Sequence, residues 1–160
     1  TDLMVDLQLV RRLMPWASNV GKRLVKAPKV YVRDSGIQHA LLDLTTTDDV
    51  LGHPTAGPSY EGFVIENLMA CAAPRFKPYF YLTQDGAEID LLLESGGKPG
   101  MAIEVKRSSA PTLDRGFGTA CDDLKISQRF VVYPGEDTYP LRHGAQAISL
   151  TAMARVLQGD

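Results

Sequence analysis

The stretch GAEIDLLLESGGKPGMAIEVK, residues 86–106, decides the fold of this chain. It contains two runs of alternating side chains on either side of a Gly/Pro-rich segment at residues 95–100. An alternation with a period of two residues is typical of β-strands. If the segment closes an antiparallel pair centred on Gly97, Asp90 lies directly across from Glu104. The stretch therefore predicts a β-hairpin that carries two opposed carboxylates.

These opposed carboxylates need a compensating cation. Directly opposite side chains on paired strands have Cβ atoms only about 5 Å apart, and like charges at that distance repel. Alternation places Glu88, Asp90 and Leu92 on one face of their strand, and Glu104 and Lys106 together on one face of the next. A divalent metal ion is the natural candidate for the cation. The alternative is a cross-strand salt-bridge cluster on a solvated sheet face.

A predicted amphipathic helix at residues 60–73 contributes a third carboxylate. At 100° per residue from Tyr60, its large apolar side chains occupy an arc of roughly 140°. Glu61 falls inside that arc, whereas Glu66 falls on the polar side. A carboxylate on a buried stripe is costly unless it is paired or bound to a metal. We therefore expect Glu61 to belong to the site and Glu66 to be an ordinary surface residue.

Around the hairpin, the pattern predicts an α-β-β-β-α-β core of class α/β (α+β), with a mixed sheet flanked by helices. The core strands are expected at residues 79–83, 87–94, 101–106 and 130–133, and its helices at residues 60–73 and 112–124. Before the core we expect strands at residues 9–13, ended by Pro15 and Trp16, and at 29–33. We also expect a helix at residues 35–42, capped by Asp34, a helical turn at 47–52 and a loop at 53–59. After it we expect a strand at residues 147–150 and a helix at 152–157.

Length and composition indicate one ordinary globular domain. The chain has 160 residues, of which 44% are hydrophobic and 22% charged, and about 100–200 residues is the usual size of one domain. No apolar run approaches the roughly 18 residues of a membrane span, and two cysteines without a CxxC pair indicate neither a disulfide framework nor a zinc site. We therefore expect a cytoplasmic protein with no membrane partner. Since an apolar pattern already runs through the first residues, we also expect it to be part of a longer protein.

The net charge of −2 conceals an asymmetry along the chain. Residues 7–33 carry seven basic side chains and no acidic one, so this segment has a charge of +7 and the remainder −9. Such a basic block can contact nucleic-acid phosphates, although a sparse basic run is also typical of a solvated or partner-facing surface. The candidate nucleic-acid-binding residues are Arg11, Arg12, Lys22, Arg23, Lys26, Lys29 and Arg33.

The arrangement of a Glu on the first helix, an Asp on a strand and Glu-x-Lys on the next strand resembles the PD-(D/E)XK nuclease superfamily, which has the restriction-endonuclease-like fold. The matching residues are Glu61, Asp90, Glu104 and Lys106, with Ile89 where the superfamily's namesake has Pro. Four blocks in order are similar to the C-terminal domain of unknown function of prokaryotic AAA-type ATPases with a winged helix. These blocks are KRLVKAPKVYVRDSGIQHALL, YEGFVIENLM, GAEIDLLLE and AIEVKRSS. In that case residues 1–15 are the end of a winged-helix region and residues 16–160 the nuclease-like domain.

The resemblance implies a metal-dependent nuclease that hydrolyses phosphodiester bonds in DNA. It implies that Asp90 and Glu104, with the Val105 carbonyl, hold Mg²⁺ or Mn²⁺. Glu61 would reach the metal directly or through water, and Lys106 would act on the water and the scissile phosphate. Glu88 is a further candidate, as an outer-shell ligand.

Two alternatives remain open from the sequence. The first is a catalytically inactive module of the same fold that binds nucleic acid or assembles with its ATPase, because fold does not settle activity. The second is phosphoester chemistry on RNA. The implied partners are the upstream ATPase and winged-helix domains and a second copy of the chain, and ATP would bind only to the upstream domain.

Overall fold

The computed structural model describes residues 2–17 and 23–159, in which helices lie on both faces of an eight-stranded mixed sheet. The strands are β1 (Val10–Pro15), β2 (Lys29–Val32), β3 (Lys77–Leu82), β4 (Glu88–Ser95), β5 (Lys98–Val105), β6 (Gln128–Tyr133), β7 (Tyr139–Pro140) and β8 (Gln146–Ser149). The helices are α1 (Asp2–Asp6), α2 (Ser35–Leu41), α3 (Thr47–Gly52), α4 (Ala56–Cys71), α5 (Arg115–Asp123) and α6 (Leu150–Gln158), with one turn of 3₁₀ helix at Arg142–Gly144. The strand order is β2-β1-β3-β4-β5-β6-β8-β7. None of the helices in the described ranges is long and apolar enough to cross a membrane.

The mixed α/β fold class is confirmed, and the predicted core order is found as α4, β3, β4, β5, α5 and β6. The loop predicted at residues 53–59 is wrong, because α4 already begins at Ala56. Pro58 is tolerated in its first turn, where a backbone N–H would have no partner within the helix. The strand predicted at residues 9–13 is two residues longer at its end, since β1 ends at Pro15 and Trp16 already lies outside it. The two-residue strand β7 was missed because so short a segment shows no alternation.

The predicted boundary between residues 15 and 16 does not separate two sheets. β1 pairs antiparallel with β2 and parallel with β3, where Pro15 lies opposite Phe80. The N–H of Trp16 then donates to the Phe80 carbonyl at 2.7 Å. Residues 10–15 therefore lie in the same sheet as the rest of the chain, and the assignment of residues 1–15 to a winged-helix region stays a prediction.

The sheet carries a hydrophobic core on each of its two faces. On the α4 face, side chains of α4 and α6 pack against Leu91, Leu93 and Ile103. On the α5 face, side chains of α5 pack against Leu92 and Ala102. Both cores meet at β4 and β5, the strands of the predicted hairpin, which explains why their apolar residues are almost completely buried.

The register of β4 against β5 agrees with the prediction, but it is produced by a bulge. Ser95 pairs with Lys98 across a two-residue turn, in which Gly96 and Gly97 both have positive φ, as such tight hairpin turns require. Between this turn and the next pairs the register shifts by one residue, which makes Gly100 the extra residue of a β-bulge. Beyond the bulge, the register centred on Gly97 is seen in the pairs Leu93 with Met101, Leu92 with Ala102 and Leu91 with Ile103.

A second bulge lies in β4, opposite β3. Tyr79 pairs with Leu92 whereas Tyr81 pairs with Ile89, so β4 has one more residue than β3 between these two pairs. Ile89 and Leu92 consequently both belong to the core on the α5 face. The prediction that Asp90 shares a face with Leu92 is therefore wrong. The bulge interrupts the alternation between Ile89 and Leu92, so Asp90 no longer follows it.

We expect Gly116→Ala to destabilise the fold. Gly116 lies in the first turn of α5 over the turn between β3 and β4, and a Cβ there would lie 2.5 Å from the carbonyl oxygen of Gly86. Because that neighbour is backbone, the helix would have to move, at a cost of about 1–3 kcal/mol. Gly57→Ala is the matched control, since Gly57 lies in the first turn of α4 with nothing within 4 Å of its added Cβ. Urea denaturation measures both variants, and equal stability of the two would contradict this packing.

Candidate functional site

The ammonium group of Lys29, at the start of β2, lies among three carboxylates from α4 and β4. Its Nζ is 3.0 Å from Glu61 Oε1, 2.9 Å from Glu88 Oε1 and 3.4 Å from Asp90 Oδ1. It also lies 5.5 Å from the ring centre of Phe80. Because an ammonium group has three N–H donors, Lys29 can offer one to each carboxylate.

Tyr31 contacts Glu61 from the same face of β2. Its hydroxyl donates a hydrogen bond to Glu61 Oε1. The Tyr31 ring packs against Gly62 of α4, where an added Cβ would lie only 3.0 Å from a ring carbon. The missing side chain at Gly62 thus allows β2 to approach α4 closely enough for Lys29 and Tyr31 to reach Glu61.

Asp90 lies between β4 and β5. Its Oδ2 accepts a hydrogen bond of 3.0 Å from the N–H of Val105. The backbone pairing of the two strands ends at Leu91 and Ile103. The Asp90 carboxylate therefore binds the Val105 N–H, which a backbone carbonyl of β4 would bind if the pairing continued. Asp90 is thereby turned toward Lys29 and α4 at one oxygen and toward β5 at the other.

Glu104 and Lys106 form the second part of the site. Lys106 Nζ lies 2.9 Å from Glu104 Oε1 and 3.5 Å from Asp114 Oδ2 at the start of α5. Alternation along β5 places Glu104 with Ala102 on the α5 face. The other oxygen of Glu104, Oε2, is buried and has no hydrogen-bond partner among the described residues.

The structure therefore places the four residues that the sequence singled out in two neighbouring groups. Glu61 and Asp90 both contact Lys29, and Glu104 contacts Lys106. We call these four, with Glu88 and Lys29, the carboxylate cluster. Asp90 links its two parts, because it contacts Lys29 directly and interacts electrostatically with Glu104. Lys29 and Tyr31 were not assigned to this site from the sequence, since strand alternation alone does not show which helix faces β2.

Burial and like charge raise the pKa values of the central carboxyl groups. Burial, with the Glu61 charge nearby, raises the pKa of Asp90 to about 6, although Lys29 and the Val105 N–H oppose the shift. Burial and the neighbouring Asp90 raise the pKa of Glu104 to about 8, against the effect of Lys106. Burial alone would lower the pKa of Lys29, but Asp90 and Glu61 together raise it. The two lysines thus stay charged, while the carboxyl groups retain protons at higher pH than usual.

Glu66 is not the ordinary surface residue that its helical angle predicted. Its Oε2 accepts from Arg33 Nε at 2.8 Å and from Arg11 Nη2 at 3.2 Å, and its Oε1 accepts from Arg11 Nε. The helical angle was measured against the apolar residues of α4, and it could not show that the basic strands β1 and β2 cover this side of the helix. Glu66 therefore holds α4 against β1 and β2.

Much of the basic block is already paired with carboxylates. Arg11 and Arg33 bind Glu66, Arg12 binds Asp2, and Lys29 lies in the carboxylate cluster. Arg23 and Lys26 are exposed, and Lys22 lies outside the described residues. Lys29 is thus directed toward the protein rather than toward a phosphate in solution, and binding of nucleic acid by the other residues stays a prediction.

The residues fit a divalent cation in the chemistry of their donors but not in their present arrangement. Across residues 2–17 and 23–159, no three His, Cys, Asp or Glu side chains are arranged to hold a metal ion. Among Glu61, Glu88 and Asp90 the positive charge is instead supplied by Lys29 Nζ. Oε2 of Glu104 is nevertheless buried and has no hydrogen-bond partner among the described residues, and the Glu104 carboxyl group interacts electrostatically with Asp90. A carboxylate oxygen is the type of ligand that Mg²⁺ prefers.

Residues 56–153 match the family described as "Domain of unknown function (DUF4143)", and the chain belongs to this family. The domain is found at the C-terminus of AAA-ATPase-like proteins, which confirms that part of the predicted resemblance. Residues 1–48 match a second family, described as "Domain of unknown function (DUF8612)".

Two curated mycobacterial proteins are similar to this chain. They are the uncharacterized proteins Mb2031c of Mycobacterium bovis and Rv2008c of Mycobacterium tuberculosis, each 40% identical over 147 residues. The match covers 92% of this chain and 33% of each relative, so the chain spans about a third of the length of these relatives. No solved structure matches it.

We expect the stability of the metal-free protein to fall as the pH rises from about 5 to about 8. Asp90 and Glu104 have higher pKa values folded than unfolded, so the folded state binds their protons more tightly. This contribution is complete below the ordinary carboxyl range and is lost as the pH passes the raised values. In EDTA, Glu104→Gln should reduce the change of the melting temperature between pH 6 and 8. Glu136→Gln, at an exposed position, should leave that change as it is in the wild type. A wild-type slope retained in Glu104→Gln would contradict the shift.

Proposed function

We propose that this chain is a metal-dependent nuclease domain of the PD-(D/E)XK type, which hydrolyses phosphodiester bonds in DNA. The observation that carries the proposal is the proximity of residues from α4, β4 and the end of β5. Glu61 and Asp90 contact Lys29, Glu104 contacts Lys106, and the charges of Asp90 and Glu104 interact. The order of α4, three strands, α5 and β6 supports the same fold family. The exposed Arg23 and Lys26 supply positive charge for a nucleic-acid partner.

The charge balance of the cluster supports a divalent cation. Four carboxyl groups face two lysines, so two negative charges remain unless protons or a cation neutralise them. Burial, together with the neighbouring carboxylate charge, raises the pKa values of Asp90 and Glu104 in this arrangement. A cation of charge two would replace these protons, and its binding would release them.

Asp90 and Glu104, with the Val105 carbonyl, would hold Mg²⁺ or Mn²⁺, and Glu61 would take part directly or through water. The cation would supply a water of lowered pKa and neutralise charge on the phosphate. Lys106 would contact that phosphate, since its ammonium group lies next to Glu104 and its side chain is still 26% exposed. Lys29 would have to give up part of its contacts with Glu61 and Asp90 for these carboxylates to hold a cation.

A second candidate function is a non-catalytic module that assembles with the ATPase-like region of a longer protein. Two observations favour it. Lys29 already neutralises part of the cluster without a metal. A groove of about 280 Å³ between α1, the strands β1 and β2, and α2 is lined by exposed apolar side chains, which a partner would cover. The exposed apolar residues of this groove are Met4, Leu9, Ile37 and Leu41.

We propose that the domain works in the cytoplasm as the C-terminal part of a larger AAA-type ATPase, with ATP bound by the upstream domain. A second copy of the chain is a further proposed partner.

We expect Lys106→Ala to abolish cleavage while metal binding survives, because the variant keeps all the proposed ligands. Asp90→Asn should lose both, since it removes a carboxylate from the metal site. The exposed Lys77→Ala is the control for loss of a lysine. Cleavage of supercoiled, linear and branched DNA with Mg²⁺, Mn²⁺ or chelator measures activity, and calorimetry measures metal binding.

The same measurements decide between the two candidate functions. If the wild type binds neither Mg²⁺ nor Mn²⁺, and neither substitution changes any activity on nucleic acid, the assembly module replaces the nuclease.

We expect Lys29→Met to destabilise the metal-free protein at pH 8 and Mg²⁺ or Mn²⁺ to restore its melting temperature. The change removes the cation that Glu61, Glu88 and Asp90 share but retains a long apolar stem. Breaking such a part-buried ion-pair group leaves uncompensated carboxylates, which costs about 3–5 kcal/mol when the group is fully buried and less here. Lys26→Met, at an exposed position three residues earlier, should leave the melting temperature unchanged. Destabilisation that no divalent cation reverses would favour the assembly module.

A further inference from the structure

A groove lies beside the carboxylate cluster and is lined by residues that the proposed mechanism does not use. It consists of two adjoining hollows of about 150 Å³ and 450 Å³ that share Leu51, Tyr60 and Arg107. Phe63 lines the smaller hollow and Pro134 the larger one. We call these five residues and the space between them the aromatic groove.

Two aromatic rings on α4 form one wall of the groove. Tyr60 and Phe63 are three residues apart, so their side chains lie on the same side of the helix. Their ring centres are 6.4 Å apart, and the ring planes differ by 27°. Phe63 is 42% exposed, unlike Phe80 and Phe117, which are buried in the cores. An exposed, nearly parallel ring offers a face on which another flat, aromatic group can stack.

Arg107 lines both hollows and supplies a positive charge to the groove. It is exposed and, among residues 2–17 and 23–159, its guanidinium has no hydrogen-bond or ion-pair partner. This distinguishes it from Arg11 and Arg33, which are bound to Glu66. An unpaired guanidinium beside an aromatic wall matches a ligand that has both a flat ring and an anionic group.

Two residues of the aromatic groove are sequence neighbours of residues in the carboxylate cluster. Tyr60 immediately precedes Glu61 on α4, and Arg107 immediately follows Lys106 at the end of β5. Pro134 follows the end of β6, which runs parallel to β5. The groove thus lies at the carboxyl ends of two parallel strands, where crevices in α/β sheets commonly bind ligands. Ser59 and His39 also line the smaller hollow, and a hydrogen bond of 2.8 Å between Ser59 Oγ and His39 Nε2 links α4 to α2 there.

We propose that the aromatic groove binds an unpaired base of single-stranded nucleic acid, with Phe63 stacked on the base and Arg107 on the adjacent phosphate. The proposal rests on the proposed nuclease function and adds a preference for substrates with unpaired bases. In a duplex, both faces of a base are covered by its neighbours, so Phe63 has no free face to stack on. A single strand or a frayed end exposes those faces, and stacking on aromatic side chains tolerates any sequence.

Binding in EDTA tests the groove without cleavage. Fluorescence anisotropy with the whole chain measures the affinity for a labelled single-stranded DNA oligonucleotide, the same sequence as RNA, and the DNA duplex. Phe63→Leu, which keeps an apolar side chain but removes the ring face, should weaken single-strand binding at least about five-fold and leave duplex binding unchanged. Phe63→Trp, which keeps an aromatic ring face, should bind the single strand as tightly as the wild type. Arg107→Ala should weaken both and lower the salt slope by about one.

Leu41→Ala is the control for a change of exposed apolar surface, because Leu41 is 79% exposed and lies outside the groove. Unchanged melting temperatures show that each variant folds. The proposal is overturned if Phe63→Leu binds single strands as tightly as the wild type. It is also overturned if the wild type binds none of the three probes. Stronger binding of one single strand identifies DNA or RNA as the source of the base.

The two proposals fail separately. If single strands bind through Phe63 but no substrate is cut with Mg²⁺ or Mn²⁺, the groove stands and the nuclease does not. If DNA is cut but Phe63→Leu binds single strands as tightly as the wild type, the nuclease stands and the base-binding groove is wrong.

Discussion

The structure depends on the neutralisation of several carboxylates at the meeting point of α4, β4 and β5. Isolated charges are expensive to bury, and their mutual repulsion adds to that cost. Lys29 reduces both the cost of burial and the repulsion, because its ammonium group contacts Glu61, Glu88 and Asp90. Lys29 can reach them only if β2 lies against α4. This close approach is possible because Gly62 has no side chain under the ring of Tyr31. The position of the outermost strand is therefore tied to the charge balance of the central ones.

Strand register is the second requirement, and two single-residue bulges provide it. The tight turn between Ser95 and Lys98, continued without a bulge, would displace Glu104 by one position relative to Asp90. A displacement of one residue also exchanges the faces of a strand. Gly100 corrects the register on β5, and the extra residue of β4 frees Asp90 from alternation so that it can accept from Val105.

The hairpin, its register and the position of Glu61 could be predicted because they follow from periodicity over a few neighbouring residues. The bulge in β4 could not, since it depends on the pairing of Tyr79 and Tyr81 in another strand. The role of Lys29 was hidden for a related reason. Along the chain it belongs to a run of basic residues, and only the pairing of β2 beside β1 places it against carboxylates that follow 32 to 61 positions later.

The two family matches divide the chain between residues 48 and 56, yet the physical unit crosses that division. Lys29 comes from the first match, whereas its three carboxylate partners come from the second. Glu66 likewise belongs to the second and binds Arg11 and Arg33 of the first, and β1 pairs with β3 across the same division. Removing the first segment would expose uncompensated carboxylates and an unpaired edge of β3. The candidate site is thus a property of both segments together, because the second supplies the carboxylates and the first supplies the cation that allows them to be buried.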